Sequence, residues 1–81
     1  MKIIKFGAGW CKPCERLKAV LATVDTEYEI ELVDIEKNPD LASTWGIRLV
    51  PTLVLVNDDG TERSRLNGLR SKADIEAWIN E

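Results

Sequence analysis

KIIKFGAGWCKPC, residues 2–14, runs β-branched and aromatic residues into a Gly-Ala-Gly turn and then delivers both cysteines of the 81-residue chain, three positions apart. Ile3, Ile4 and Phe6 suit a covered, pleated surface, so residues 2–6 read as a short buried strand that the glycines end. From residue 12 to 24, Leu17, Val20, Leu21 and Val24 recur at three- and four-residue steps and give one apolar helical face. Pro13 fits a first helical turn, where its missing N–H costs nothing. The stretch therefore predicts a strand that turns directly into a helix, with the cysteine pair at the junction.

Outward from that junction, YEIELVDI (28–35) alternates apolar and acidic residues as a half-exposed strand does, and the right-handed crossover makes it parallel to the first. Asn38-Pro39-Asp40 opens a short helix with Leu41, Ala42 and Trp45 facing inward, and Gly46 stops it. PTLVLVN (51–57) is the most continuous apolar run and reads as a central strand covered on both faces, although Pro51 cannot donate a ladder hydrogen bond. Asp58-Asp59-Gly60 signals a hairpin, and TERSRLNG (61–68) supplies a polar antiparallel return strand. Ser71 is the N-cap of a closing helix, with Asp74 three residues on and Ala73, Ile75, Ala77, Trp78 and Ile79 making its apolar side. The order is βαβαββα, an α/β class with a four-stranded mixed sheet flanked by helices. Trp45 and Trp78 fall at helical spacings and are expected in the core.

One domain, residues 1–81, is all this length allows, and a monomer is the expectation. Hydrophobic residues at 44% and charged residues at 31% exclude a disordered composition. A net charge of -3 and the lack of a basic block exclude a broad nucleic-acid surface. No apolar run approaches the roughly 20 residues that cross a bilayer, and no signal segment precedes the first strand. A cytoplasmic protein is expected.

Cys11 is placed where unpaired N–H groups and the positive end of a helix favour an anion. A free thiol titrates near about 8.5, and that value falls for Cys-X-X-Cys pairs at helix starts; Lys12, Arg16 and Lys18 add positive charge nearby. Cys11 is thus the candidate nucleophile, and Cys14, one turn in and better shielded, is the candidate resolving thiol that closes a disulfide with it. Two rival readings remain at this level. The thiols could simply pack, or they could clip a metal, but structural zinc takes four ligands and a chain without histidine would need a second copy or carboxylates to provide them; no metal is expected.

WCKPC (10–14), the Asn-Pro after the second strand, GIRLVPTLVLV (46–56) and the late Asn67-Gly68 together resemble the thioredoxin family over nearly the whole chain. Lys12 stands where the family's usual motif has glycine. The resemblance implies the thioredoxin fold in a short form, without the N-terminal strand and helix of full-length members and nearer in length to glutaredoxins. It implies a protein-disulfide reductase that binds no cofactor and receives electrons from NADPH through a thioredoxin reductase-like enzyme. Its partners would be disulfide-containing proteins, with ribonucleotide reductase a further candidate. It also implies a cis Val50–Pro51 peptide, which local sequence alone does not predict, and a shallow substrate groove formed by Trp10, Val50, Pro51, Thr52 and Gly68, with Lys12 and Pro13 tuning the centre. Trp10 could instead only pack, and Gly68 could serve a turn that needs positive φ.

One position departs from the family. Six residues before Cys11 the family carries a buried aspartate, and this chain has Lys5, with Leu32 at the position of the family's partner lysine. A cation near Cys14 favours its thiolate and makes the centre more oxidising; alternatively Lys5 reaches water or pairs with Asp34. Two other functions stay open on sequence grounds: a glutathione-dependent, glutaredoxin-like reductant, and a binding subunit that uses the fold without redox turnover.

Overall fold

The computed structural model describes residues 1–81. The chain runs β1 (Lys2–Gly7), α1 (Lys12–Leu21), β2 (Glu29–Asp34), α2 (Pro39–Thr44), β3 (Thr52–Val56), β4 (Glu62–Asn67) and α3 (Lys72–Ile79). The sheet order is β2-β1-β3-β4, with β1 parallel to β2 and antiparallel to β3, and β4 antiparallel to β3. This is the mixed four-stranded sheet expected from the order of elements. No helix is long and apolar enough to cross a membrane.

Alternation along β1 sends side chains to two apolar layers. Ile3 packs with Leu17 and Leu21 of α1, Leu53 and Leu55 of β3, and Ile75 and Trp78 of α3. Ile4 and Phe6 point the other way, against Val33, Val54 and Val56, where Leu41, Trp45 and Ile47 cover them. Every residue of β3 is buried, which explains its unbroken apolar run. Lys5 follows Ile3 onto the α1 side of the sheet.

The apolar spacing carries the first helix to Val24, but α1 ends at Leu21, with Ala22 as its C-cap. The chain tightens there: Thr23 N–H donates to Val20 O at 2.9 Å and Val24 N–H to Leu21 O at 3.1 Å, while the Thr23 hydroxyl takes the same Val20 carbonyl at 2.7 Å. A β-branched hydroxyl residue competing for the backbone ends the helix, and Val24 still packs on the core from outside it. The second strand is shorter than its pattern by one residue at each end, and Pro51 stands before the third strand rather than in it. Trp78 is buried and donates its indole N–H to Ser64 Oγ at 2.7 Å. Trp45 is only half-buried; it caps α2 and lies 6.4 Å from Phe6, ring centre to ring centre.

Candidate functional site

The C-terminal ends of β1 and β4, the start of β3 and the first turn of α1 meet at one end of the sheet. Cys11 is the N-cap of α1, and its Sγ accepts the Cys14 N–H at 3.2 Å. That bond is the role a serine or aspartate oxygen plays at other helix starts. Cys11 N–H itself donates to Ala8 O at 3.2 Å, which holds the turn between β1 and the helix. Pro13 occupies the first turn, where its fixed φ is already helical. Cys11 and Cys14 form a disulfide with Cα atoms 5.2 Å apart, inside the ordinary range for such a bond.

Sequence reasoning expects Cys14 to be the better shielded sulfur. In the disulfide the two residues are covered alike, at 4% and 3% exposure, within one apolar cluster with Ala8 against which Ile35 and Val50 pack. What separates them is their surroundings. Cys11 has the amide donor, whereas Cys14 borders a pocket of about 270 Å³ that is open to solvent and also lined by Lys5, Lys18, Leu32 and Asp34.

Lys5 is 7% exposed. It pairs across the sheet with Leu32, which is itself exposed on the pocket wall. A Cβ placed on Gly7 would stand 3.4 Å from Cys14 Sγ and 3.7 Å from Lys5 Nζ, so the amine and the sulfur both border the one small gap that a missing side chain leaves. Lys5 makes none of the chain's ion pairs, including the one with Asp34 that its sequence allows. Burial, and after it repulsion from Lys18, pushes its amine below the ordinary lysine range.

Of the remaining sequence candidates, Trp10 is 66% exposed beside Cys11 and does not pack into the core. The Val50–Pro51 peptide is cis, and Val50 touches the cysteine cluster. Gly68 N–H donates to Pro51 O at 2.7 Å with φ at +84°, a conformation in which a side chain is strained. The turn reading and the groove reading of Gly68 thus concern one contact. Pro51 and Thr52 are fully buried, and the Thr52 hydroxyl donates to Leu49 O at 2.9 Å and lies 3.1 Å from Asn67 Oδ1. Thr52 holds the loop from within. Lys12 is exposed and faces Glu15 at 3.9 Å. No three His, Cys, Asp or Glu side chains gather as a metal site would require. Sequence reasoning missed Gly7, which opens the gap below Cys14, and Leu49 and Leu69, exposed on the loops either side of the cis peptide's contact; no local signal marks any of the three.

Comparison with known proteins agrees over the full length. The family model described as Thioredoxin matches residues 1–81. Thioredoxin from Rickettsia bellii is 30% identical over 82 residues, covering 96% of this chain and 77% of that one. Thioredoxin from Chlamydia caviae is 37% identical over 82 residues, covering 98% and 79%. Among solved structures, a mutant thioredoxin from Halobacterium salinarum superposes with a TM-score of 0.89 at 35% identity, covering 96% of this chain and 70% of that one.

Proposed function

We propose a division of labour within a chain that belongs to the thioredoxin family and is a thiol–disulfide oxidoreductase: Cys11 attacks the substrate disulfide and Cys14 resolves the intermediate. The Cys14 N–H aimed at Cys11 Sγ carries this reading, since a donor and a helix start beside a sulfur stabilise its thiolate. In the forward reaction the Cys11 thiolate forms a bond to one substrate sulfur, the substrate S–S bond breaks, and the departing thiolate takes a proton from solvent. Cys14 then gives up its proton and attacks Cys11 Sγ. The Cys11–Cys14 disulfide forms, the mixed disulfide breaks, and the second substrate thiolate is released and protonated. Two electrons have passed from the dithiol to the substrate.

Disulfide-containing proteins are the family's general substrates, and a reductase returns the centre to the dithiol. For this chain the electrons come from NADPH through a thioredoxin reductase-like enzyme, in a cytoplasm reducing enough to keep the pair as thiols, and the chain works as a monomer. Trp10, Val50, Pro51, Thr52 and Gly68 form the substrate edge, with Thr52 acting through the loop it holds. An extended substrate segment lies there as an added strand. Lys5 acts on Cys14 from across the Gly7 gap and raises the reduction potential.

Insulin disulfide reduction in the presence of dithiothreitol tests the activity, and no acceleration over the reagent alone refutes it. Cys14→Ser should accumulate a mixed disulfide between Cys11 and substrate, whereas Cys11→Ser should form none; the reverse pattern exchanges the two roles. Recharging by NADPH with thioredoxin reductase, compared with glutathione, identifies the electron source.

A further inference from the structure

Four large apolar residues are exposed: Trp10 at 66%, Leu32 at 53%, Leu49 at 49% and Leu69 at 44%. Three of them ring the disulfide. Trp10 precedes Cys11, Leu49 precedes the Val50 that packs against the cysteine cluster, and Leu69 follows the Gly68 that bonds to Pro51. Each has an exposed arginine close by in the chain: Arg48 beside Leu49, Arg70 beside Leu69, and Arg16 in α1, about one and a half turns beyond the cysteine that follows Trp10.

None of these arginines is in an ion pair. Arg70 Nε donates to Asn67 O at 3.1 Å, which fixes its stem at the rim and leaves its terminal N–H groups unspent. Of the carboxylates at this end, Glu15 faces Lys12, and Asp34 Oδ1 accepts the amides of Glu36 and Lys37 at 2.8 and 3.4 Å; Asp40 and Asp74 sit in the first turns of α2 and α3, with Lys37 and Lys72 close by in the chain. Glu36 stands next to Lys37. At the opposite end of the sheet lie Asp25 and Glu27, ahead of β2, and Asp58 and Asp59, in the β3–β4 hairpin. A chain of net charge -3 therefore has more cations than carboxylates at the end that holds its reacting sulfurs, three of them guanidinium groups in no ion pair, and gathers acidic residues at the other.

We propose that this end is a recognition surface for acidic protein segments: Arg16, Arg48 and Arg70 pair with carboxylates that flank a substrate disulfide, while Trp10, Leu49 and Leu69 receive its apolar side chains. The inference rests on the redox reading above and names the class of substrate. An apolar centre rimmed by arginine is the composition of a protein-binding patch. The planar guanidinium fork matches a carboxylate with two parallel hydrogen bonds, which favours Asp and Glu over a merely polar rim. The opposed acidic end turns an approaching acidic partner away except in the orientation that brings its disulfide to Cys11.

The test uses two peptides of equal length, each closed by one disulfide and differing only in whether Glu or Lys flanks the cysteines. Their binding to the Cys11→Ser, Cys14→Ser protein is titrated, so that no exchange step contributes. The Glu peptide should bind ~10-fold more tightly at about 0.02 M salt and within ~2-fold at about 0.5 M, as screening of exposed charges requires. Charge reversal by Arg16→Glu, Arg48→Glu and Arg70→Glu together should invert the preference, a result that loss of folding cannot imitate. Equal or tighter binding of the Lys peptide by the unreversed surface, or a Glu preference that survives the reversal, overturns the proposal. Turnover of a peptide with neutral flanks by the unsubstituted protein reports on the redox reading separately. A protein that selects the Glu peptide but reduces no disulfide keeps this surface and loses that reading.

Discussion

Lys5→Met keeps a buried apolar stem and removes the one charge that faces Cys14 across the Gly7 gap. Lys5 Nζ and Cys14 Sγ lie 3.7 and 3.4 Å from the same point, so they are no more than about 7 Å apart, a range at which Coulomb energies still count. At about 7 Å an ammonium stabilises a thiolate by about 2.4 kcal/mol at an effective dielectric of about 20, and by about 0.6 kcal/mol at about 80. The pocket beside them opens to solvent, which places the expected value between these limits, at about 1 kcal/mol. Only the reduced protein can carry a Cys14 thiolate, which forms when Cys14 gives up its proton, so the stabilisation belongs to the reduced form, acts in full where Cys14 is ionised, and raises the potential there. With about 1.4 kcal/mol equivalent to about 30 mV for a two-electron couple, Lys5→Met should lower the potential by about 20 mV where Cys14 is ionised and by less at lower pH, where it keeps its proton. Lys5→Asp should lower it at least as far, since it puts an acidic group in the same place.

The effect also has a pH signature. It is largest where the thiolate and the ammonium coexist. It fades as pH rises through the Lys5 value, which burial and Lys18 hold below 10.5, because the amine of the unsubstituted protein is then neutral as well. Equilibration of both proteins against thiol–disulfide buffers over a range of pH measures the difference. An unchanged or higher potential for Lys5→Met at every pH refutes the reasoning and leaves Lys5 as a residue that only reaches water.

Lys5→Met should also stabilise the oxidised fold by about 1 kcal/mol at neutral pH. Folding there holds an ammonium in a place that disfavours it; above the lowered folded value the unfolded chain binds the extra proton, so the original protein gains stability and the two urea curves converge toward pH 10.5. Trp78→Phe removes the indole N–H bonded to Ser64 Oγ at 2.7 Å at a buried site and should cost about 1 to 2 kcal/mol by urea denaturation; Trp78→Phe with Ser64→Ala should recover part of it. Glu62 is held below its usual 4.5, chiefly by its hydrogen bond with Arg65, whose guanidinium also reaches Trp45 O at 2.8 Å. The stability of the original protein over Glu62→Gln should therefore be present above pH 4.5 and vanish as pH falls through the lowered folded value. A difference that persists in strong acid would contradict that assignment.

The order of elements, the two apolar faces of the sheet, the cap at Ser71, the helix start at Cys11 and the reacting pair itself were legible in the chain. Each depends on interactions within a few residues: periodicity sorts Ile3 from Ile4, and a helix needs a cap at its own first turn. The family resemblance added Pro51 and Gly68, which lie far from the cysteines in sequence. Local pattern could not place the end of α1, where one threonine hydroxyl outweighs an apolar spacing that continues to Val24. Nor could it show that Thr52 is buried, that both cysteines are equally covered, or that Lys5 and Cys14 share a gap left by Gly7. Those facts arise when β1 is paired between β2 and β3 and α1 closes over one face. The sequence by itself determined which groups can react and where the backbone bends. Only the tertiary structure decided what surrounds them, because burial and electric field are set by neighbours that the chain brings together from far apart, and it is those neighbours that favour or penalise a charge.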